Sequence, residues 1–144
     1  MATTNVYLNF NGNCEEAFNF YKSVFGGEFG YLGRFGEMPE SNDYKVPEAD
    51  KNKIMHVSLA IGNSILMGSD TGEEYGKNYV QGNNFSVSVT AASKKEADEL
   101  FAGLAVGGQV TMPMNDTFWG DYFGMLTDKF GINWMIGFNE QYKP

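Results

Sequence analysis

The sequence predicts an α+β fold of two tandem βαβββ modules, each a curled mixed sheet, set around a shared cavity. Three observations predict it. A series of strand, capped helix, Gly-Gly pair and further strands occurs twice along the chain. The two copies keep an almost constant offset: Asn13 and Ser93, placed to cap the helices, stand 80 positions apart, and the pairs Gly26-Gly27 and Gly107-Gly108 stand 81 apart. Matching Asn5 to Asn84 gives 79. A whole ordered series at one offset indicates an internal duplication rather than chance. The third observation is the stretch Thr117–Phe138, which reads as strand, tight turn and strand, with aromatics on both strands. One domain over 1–144 is expected, with module one at about 4–70, a linker at about 71–83 and module two at about 84–140.

The first strand is expected at Val6, Leu8 and Phe10, which alternate with Tyr7, Asn9 and Asn11. Asn13 and Glu16 have the spacing of a capping box. Ala17, Phe20, Tyr21 and Val24 then recur at helical spacing, with Phe18 and Phe25 widening the stripe, until Gly26-Gly27 stops the helix. Glu28 to Phe35 reads as a second strand. Glu37 to Asn52 holds two prolines and several carboxylates, and reads as a mobile surface loop, either a lid or merely unstructured. Lys53 to Ile61 alternates Met55, Val57, Leu59 and Ile61 with Ile54, His56, Ser58 and Ala60. Gly62-Asn63 turns the chain into a strand at Ser64–Ser69, and the glycine-bearing segment Asp70–Asn83 reads as a linker. In the second copy Asn84 to Thr90 alternates Phe85, Val87 and Val89 with Ser86 and Ser88. Ser93 and Glu96 form the capping box, and Ala97, Leu100, Phe101 and Leu104 form the helical stripe. Asp128-Lys129-Phe130-Gly131 turns the closing hairpin, with Gly131 suited to positive φ.

Composition excludes several classes of function. A net charge of −8 and a pI near 4.5 argue against a nucleic-acid partner and against an anionic membrane surface. Single-stranded RNA readers combine exposed aromatics with a basic groove that this sequence does not supply. Cys14 is the one cysteine, which suits a reducing cytoplasm, and no run approaches a membrane span, so a cytoplasmic location is expected. At the start of a helix its thiol gains from the dipole, while Glu15 and Glu16 oppose this; a small packing residue is expected.

If the apolar face of each strand meets a helix, the mixed face lines the cavity. Tyr7, Asn9, Ser86 and Ser88 then look inward, together with Met67 and Met135. Such a wall, aromatic and thioether with a few polar handles, suits a small-molecule ligand. His56, the lone histidine, reads either as an acid–base or ligand contact at the cavity rim or as a hydrogen-bonded structural residue, the commoner role. Asp70 reads as a turn residue. Arg34 and Glu37 flank the loop as ligand contacts or as solvated charges. Phe118 and Trp119 could stack on a planar substrate or fill the interface between modules.

Three segments carry a family resemblance: YLNFNGNCEEAFNFY at Tyr7–Tyr21, FGEMP at Phe35–Pro39 and TFWGDYFGMLTDKFGINWMI at Thr117–Ile136. On them the chain resembles the PhnB-like branch of the vicinal oxygen chelate superfamily, which includes glyoxalase I, extradiol dioxygenases and the bleomycin and fosfomycin resistance proteins. Metal-using members of that superfamily place His or Glu ligands on four strands. The resemblance carries these positions to the neighbourhood of Asn5 (or Val6), Met67, Asn84 and Met135. The family's run D-P-F-G-x-x-W-E falls on Asp128–Met135, so methionine stands where the glutamate is expected. Two amides and two thioethers are a poor set for Zn²⁺, Ni²⁺ or Mn²⁺. No metal and no other cofactor is therefore expected, and the resemblance implies a metal-independent small-molecule-binding protein. The alternative is a metal-dependent lyase, isomerase or dioxygenase that uses His56 and further ligands. Some PhnB-like chains carry a ubiquinone-methyltransferase label, but no segment here resembles a nucleotide-cofactor fold. The resemblance also implies a homodimer.

Overall fold

The computed structural model describes residues 1–41, 43, 45–142 and 144, and Tyr75 by its backbone alone. The chain divides into two compact units, Met1–Gln81 and Gly82–Pro144. Unit one contains β1 (Val6–Phe10), α1 (Cys14–Phe25), β2 (Phe29–Arg34), β3 (Ile54–Ile61), β4 (Ser64–Asp70) and the single-turn α2 (Glu73–Gly76). Unit two contains β5 (Val87–Thr90), α3 (Lys94–Ala105), β6 (Gln109–Asp116), β7 (Tyr122–Thr127) and β8 (Asn133–Phe138). The sheets are ordered β1-β4-β3-β2 and β5-β8-β7-β6, so the two units share one topology. In each, the outer strand before the helix pairs parallel with the last strand, and the other pairings are antiparallel. The expected α+β duplication of βαβββ units is the observed fold.

In unit one α1 lies against β3 and β4. Leu8 and Phe10 of β1, Val57 and Leu59 of β3 and Leu66 of β4 are buried on the helix side. The helix meets them with Cys14, Ala17, Phe18 and Tyr21. Phe18 therefore sits at the centre of the stripe rather than at its margin, while Phe20, Val24 and Phe25 are half-buried. Gly68 permits this: a Cβ there would lie 2.6 Å from the Phe18 ring. The alternation expected in β3 fails at one point. Ile54 is buried although it shares the parity of His56, because Gly33 and Arg34 of β2 pair with His56 and Ile54. Two consecutive β2 residues thus oppose positions two apart on β3, and the irregularity reverses the facing at Ile54.

The start of α1 also departs from expectation. Asn13 makes no capping hydrogen bond with its side chain. The carboxylate of Asp70, at the end of β4, takes the role instead: its Oδ1 accepts from the N–H groups of Gly12 at 3.0 Å and Cys14 at 2.9 Å, and its Oδ2 from that of Ile54 at 2.9 Å. A buried acceptor from the neighbouring strand outcompetes a local amide that would need its own backbone to fold around it. Asp70 is thus a tertiary cap, not a turn residue.

The segment 37–52 is more structured than a mobile loop. A single-turn 3₁₀ helix at Phe35–Glu37 leads into it, a second lies within it at Glu48–Asp50, and Val46 and Asp50 are buried. Asn42 and Tyr44 lie outside the described residues. Asp50 accepts from the N–H of Glu73 and from Lys53 Nζ, both at 2.8 Å, and so ties the loop to the start of α2. The segment read as a linker is fastened to unit one as well, through Thr71 N–H to the Phe10 carbonyl at 2.7 Å and the Tyr79 hydroxyl to the Asn9 carbonyl at 3.2 Å.

Unit two keeps the plan with different local chemistry. Ser93 Oγ accepts from the Glu96 N–H at 3.0 Å, while Glu96 Oε1 accepts from the Ala92 N–H at 3.0 Å, so the expected box forms here within the chain's own turn. β5 begins at Val87 rather than Asn84. The Asn133 side-chain amide donates to the carbonyls of Asn83 and Phe85 at 3.4 and 3.3 Å, holding them out of the ladder. Trp134, Ile136 and Phe138 of β8 face α3 and are buried, as the hairpin pattern predicts. Asp128 fixes the turn, accepting from Phe130 N–H, Ile132 N–H and Trp134 Nε1–H at 2.8, 3.0 and 2.8 Å. Pro113 is accommodated because β6 is an edge strand.

Two outcomes follow for stability. Asp70→Ala should lower the unfolding free energy in urea by about 3 kcal/mol, because three N–H groups lose a charged acceptor, whereas Asn13→Ala should stay within about 0.5 kcal/mol and Ser93→Ala should cost about 1 kcal/mol. Equal losses for Asn13→Ala and Ser93→Ala would contradict the tertiary cap. Asp50 should contribute an acid-sensitive term. The Glu73 backbone N–H, and next Lys53, hold its carboxyl below the ordinary aspartate range. A lowered folded-state value means the stabilisation is complete above the unfolded-state pKa and is lost as pH falls through the lowered value. The stability gap between the wild type and Asp50→Asn should therefore be constant near neutrality and close only in acid, as read by urea midpoints across pH.

Candidate functional site

In each sheet the helix covers one face and the strands present a second, mixed face on the other side. Residues directly opposite one another in a ladder point to the same face, so the registers define rows across it. In unit one, Tyr31 of β2 pairs with Ser58 of β3, Ser58 with Met67 of β4, and Met67 with Tyr7 of β1. The row crosses all four strands, about 14 Å at the usual strand spacing. In unit two, Met112, Met125, Met135 and Ser88 form the equivalent row. Met112 stands 81 positions after Tyr31 and Ser88 stands 81 after Tyr7, while Met135 follows Met67 by only 68. The drop of 13 reflects the longer 37–52 segment of unit one.

His56 sits beside the row of unit one. Its Nδ1 is 3.1 Å from the Tyr7 hydroxyl, and its ring centroid lies 5.6 Å from that of Tyr7 and 5.9 Å from that of Tyr31. Its β2 partner is Gly33, and a Cβ there would come within 2.5 Å of the Tyr31 hydroxyl. The absent side chain at Gly33 is what lets the Tyr31 ring lie across the sheet toward the imidazole. Tyr7 and Tyr31 remain 42% and 50% exposed, so the cluster is open on the side away from α1.

The remaining predicted site residues are placed as follows. Asn9 is on β1 opposite Ser69. Met67 and Met135 are half-buried within the two rows. Ser88 joins its row, but Ser86 precedes β5 and has no partner in the ladder. Trp119 stands in the 117–121 turn, its Nε1 donating to Asp121 Oδ2 at 2.7 Å, and its ring lies 6.0 Å from that of Phe123 on β7. Phe118 packs edge to face on it and is 98% exposed. Arg34 turns to α1, where it makes a two-pronged contact with Glu15 at 3.0 and 2.7 Å. That hydrogen bonding lowers the Glu15 carboxyl below its ordinary range. Cys14 is fully buried; burial foremost, then the charges of Asp70 and Glu15, push its thiol well above the usual range and leave it inert. Sequence reasoning missed Tyr31, Met112 and Met125. The glycines flanking Tyr31 at 30 and 33 were the available signal for the first.

Residues 2–137 match the family described as 3-demethylubiquinone-9 3-methyltransferase. This chain belongs to that family, in its PhnB-like branch. It is 33% identical over 141 residues to protein YjdN of Escherichia coli K12, which covers 94% of each chain. Among solved structures it is similar to protein PA1353 from Pseudomonas aeruginosa, 42% identical with a TM-score of 0.80, covering 96% of this chain and 98% of that one. A putative 3-demethylubiquinone-9 3-methyltransferase, PhnB protein, from Bacillus cereus is 26% identical with a TM-score of 0.73, covering 95% and 99%. The fold extends to a glyoxalase/bleomycin resistance protein/dioxygenase family enzyme from Burkholderia phytofirmans, 17% identical with a TM-score of 0.61, covering 94% and 98%.

The metal that the superfamily implies can be tested against the PhnB-like chain's own donors. The ladders put Tyr7 beside Met67 and Ser88 beside Met135. Asn5 and Asn84 precede their strands, and Asn5 Oδ1 is taken by the Ile65 N–H at 3.2 Å. In neither unit does the hydroxyl and thioether pair that the ladder brings together fit a divalent ion that prefers imidazole and carboxylate. Among the described residues, no three His, Cys, Asp or Glu side chains gather so as to hold a metal. No helix among them is long and apolar enough to cross a membrane.

Gly33→Ala tests the geometry of the cluster. The atoms nearest the added methyl all belong to the outer part of the Tyr31 ring, which can swing aside, so stability should change by less than about 1 kcal/mol. The His56 ring-proton shifts should move as the aromatic ring leaves, and unchanged shifts would contradict the described packing.

Proposed function

We propose that this chain binds a small molecule on the open sheet faces and does so without a divalent metal. The observation that carries the reading is the Tyr31–Ser58–Met67–Tyr7 row with His56 between the two tyrosines. Aromatic and thioether surface supplies apolar contact, and hydroxyl and imidazole groups supply orientation, the mixture that small-molecule sites use. The second row, of three methionines and Ser88, offers adaptable thioether surface in the same manner. The donor set beside Met67 and Met135 supports metal independence. The family's description names a methyltransferase, and a fold hosts unrelated chemistries, so that name does not by itself assign this chain's activity.

The test combines metal analysis with a fragment screen on isotope-labelled protein. Purified chain should carry no stoichiometric divalent ion, and fragment binding should survive a chelator. Fragment-induced amide shifts should fall on Tyr7, His56 and Met67 rather than on α1. A stoichiometric ion whose loss accompanies loss of activity in His56→Ala would overturn the reading in favour of a metal-dependent enzyme. Saturable binding of S-adenosylmethionine would favour the methyltransferase activity in the family's description instead.

A further inference from the structure

Resting on that reading, the unit-one face also limits what its ligand can be. No Lys, Arg, Asp or Glu stands among the strand positions that share this face with Tyr7, His56, Ser58 and Met67. The charges its strands do carry are spent on the helix side, Arg34 on Glu15 and Asp70 on the start of α1. A carboxylate or phosphate laid on the row would lose part of its water and find no charged partner among these strand positions.

The row does offer neutral hydrogen bonding. The Tyr7 hydroxyl and His56 Nδ1 form one hydrogen bond in which either can be the donor. If the hydroxyl donates, the pair presents the Nε2–H as a donor and the tyrosine oxygen as an acceptor. If Nδ1–H donates, it presents Nε2 as an acceptor and the tyrosine O–H as a donor. With the imidazole neutral, both states therefore expose one donor and one acceptor and no net charge. His56 Nε2 and the Tyr31 hydroxyl make no hydrogen bond to other described residues, so both remain available. The two tyrosine rings are tilted 31° and 38° to the imidazole, which makes a nearly continuous aromatic wall.

We propose that the Tyr7–His56–Tyr31 cluster recognises an uncharged aromatic hydroxyl compound, its ring on the tyrosines and its hydroxyl on the Tyr7–His56 pair. A hydroxyl, being donor and acceptor at once, complements the pair in either state. A carboxylate lacks the donor, and an ether lacks it too.

Three probes of one ring system separate these possibilities: 2-naphthol, 2-naphthoate and 2-methoxynaphthalene, titrated at pH 7.5 and followed by amide shifts. 2-Naphthol should bind saturably at the cluster, with 2-naphthoate about tenfold weaker or worse. Tyr7→Phe should weaken 2-naphthol by about three- to tenfold, the range for one hydrogen bond, and leave 2-methoxynaphthalene unchanged. That selectivity ratio is a readout that a merely structural loss would not move, since misfolding would weaken both. Naphthoate binding as tightly as naphthol, or equal losses for both neutral probes in Tyr7→Phe, would overturn the proposal. So would the failure of 2-naphthol to bind by about 1 mM, while the broader small-molecule reading would then stand or fall on the fragment screen alone.

Discussion

The carboxylate of Asp70 holds unit one together at the point where its local elements have least to hold them. It accepts N–H groups from the turn after β1, the first residue of α1 and the first residue of β3. Two of those donors lie together at the junction of β1 and α1 and the third stands 40 positions later, and each would otherwise be an unsatisfied end. By gathering them on a single buried acceptor, Asp70 sets where α1 sits on the sheet. That placement commits Val57, Leu59 and Leu66 to the helix side and turns His56, Ser58 and Met67 to the other. The open face is therefore a consequence of how the covered face is anchored.

Unit two reaches the same topology by other means. Its helix begins in a self-contained box of Ser93 and Glu96, and its anchoring carboxylate, Asp128, lies in the β7–β8 turn beside Trp134. After duplication the two copies have conserved strand order and pairing direction while exchanging the interactions that secure them. The open faces have diverged as well: tyrosine, serine and histidine on one, methionines on the other. A duplicated scaffold whose halves keep their geometry but not their surface chemistry can change ligand class without changing fold.

Much of the fold was legible because its signals are local. The alternation at Val6–Phe10, the stops at Gly26-Gly27 and the Trp134–Ile136–Phe138 pattern each depend on a few neighbouring residues and the period of the element. The misread points share the opposite character. Asn13 has the right spacing for a cap, yet a carboxylate some 57 positions away takes the N–H groups. Phe85 alternates correctly, yet the Asn133 side chain holds the backbone there out of the ladder. Ile54 has the parity of a solvent-facing residue, yet a pairing irregularity buries it.

By itself the sequence determined the duplication, the α+β class, membership of the PhnB-like branch and the methionine that stands at 135, because each is a matter of residue identity, order and period. It also placed Tyr7, His56 and Met67 on strands with one mixed face. Only the tertiary structure decided that Tyr7 and Met67 are neighbours, that Ser58 and Tyr31 complete their row, and that His56 shares a hydrogen bond with Tyr7. The physical reason is register. Side chains on adjacent strands meet according to how the ladders align, and that alignment is set by non-local contacts such as those of Asp70, not by the strands' own sequences. The Thr117–Phe138 hairpin shows both sides: its turn and buried stripe follow from its residues, whereas the partners of Met125 and Met135 were settled by the ladders alone.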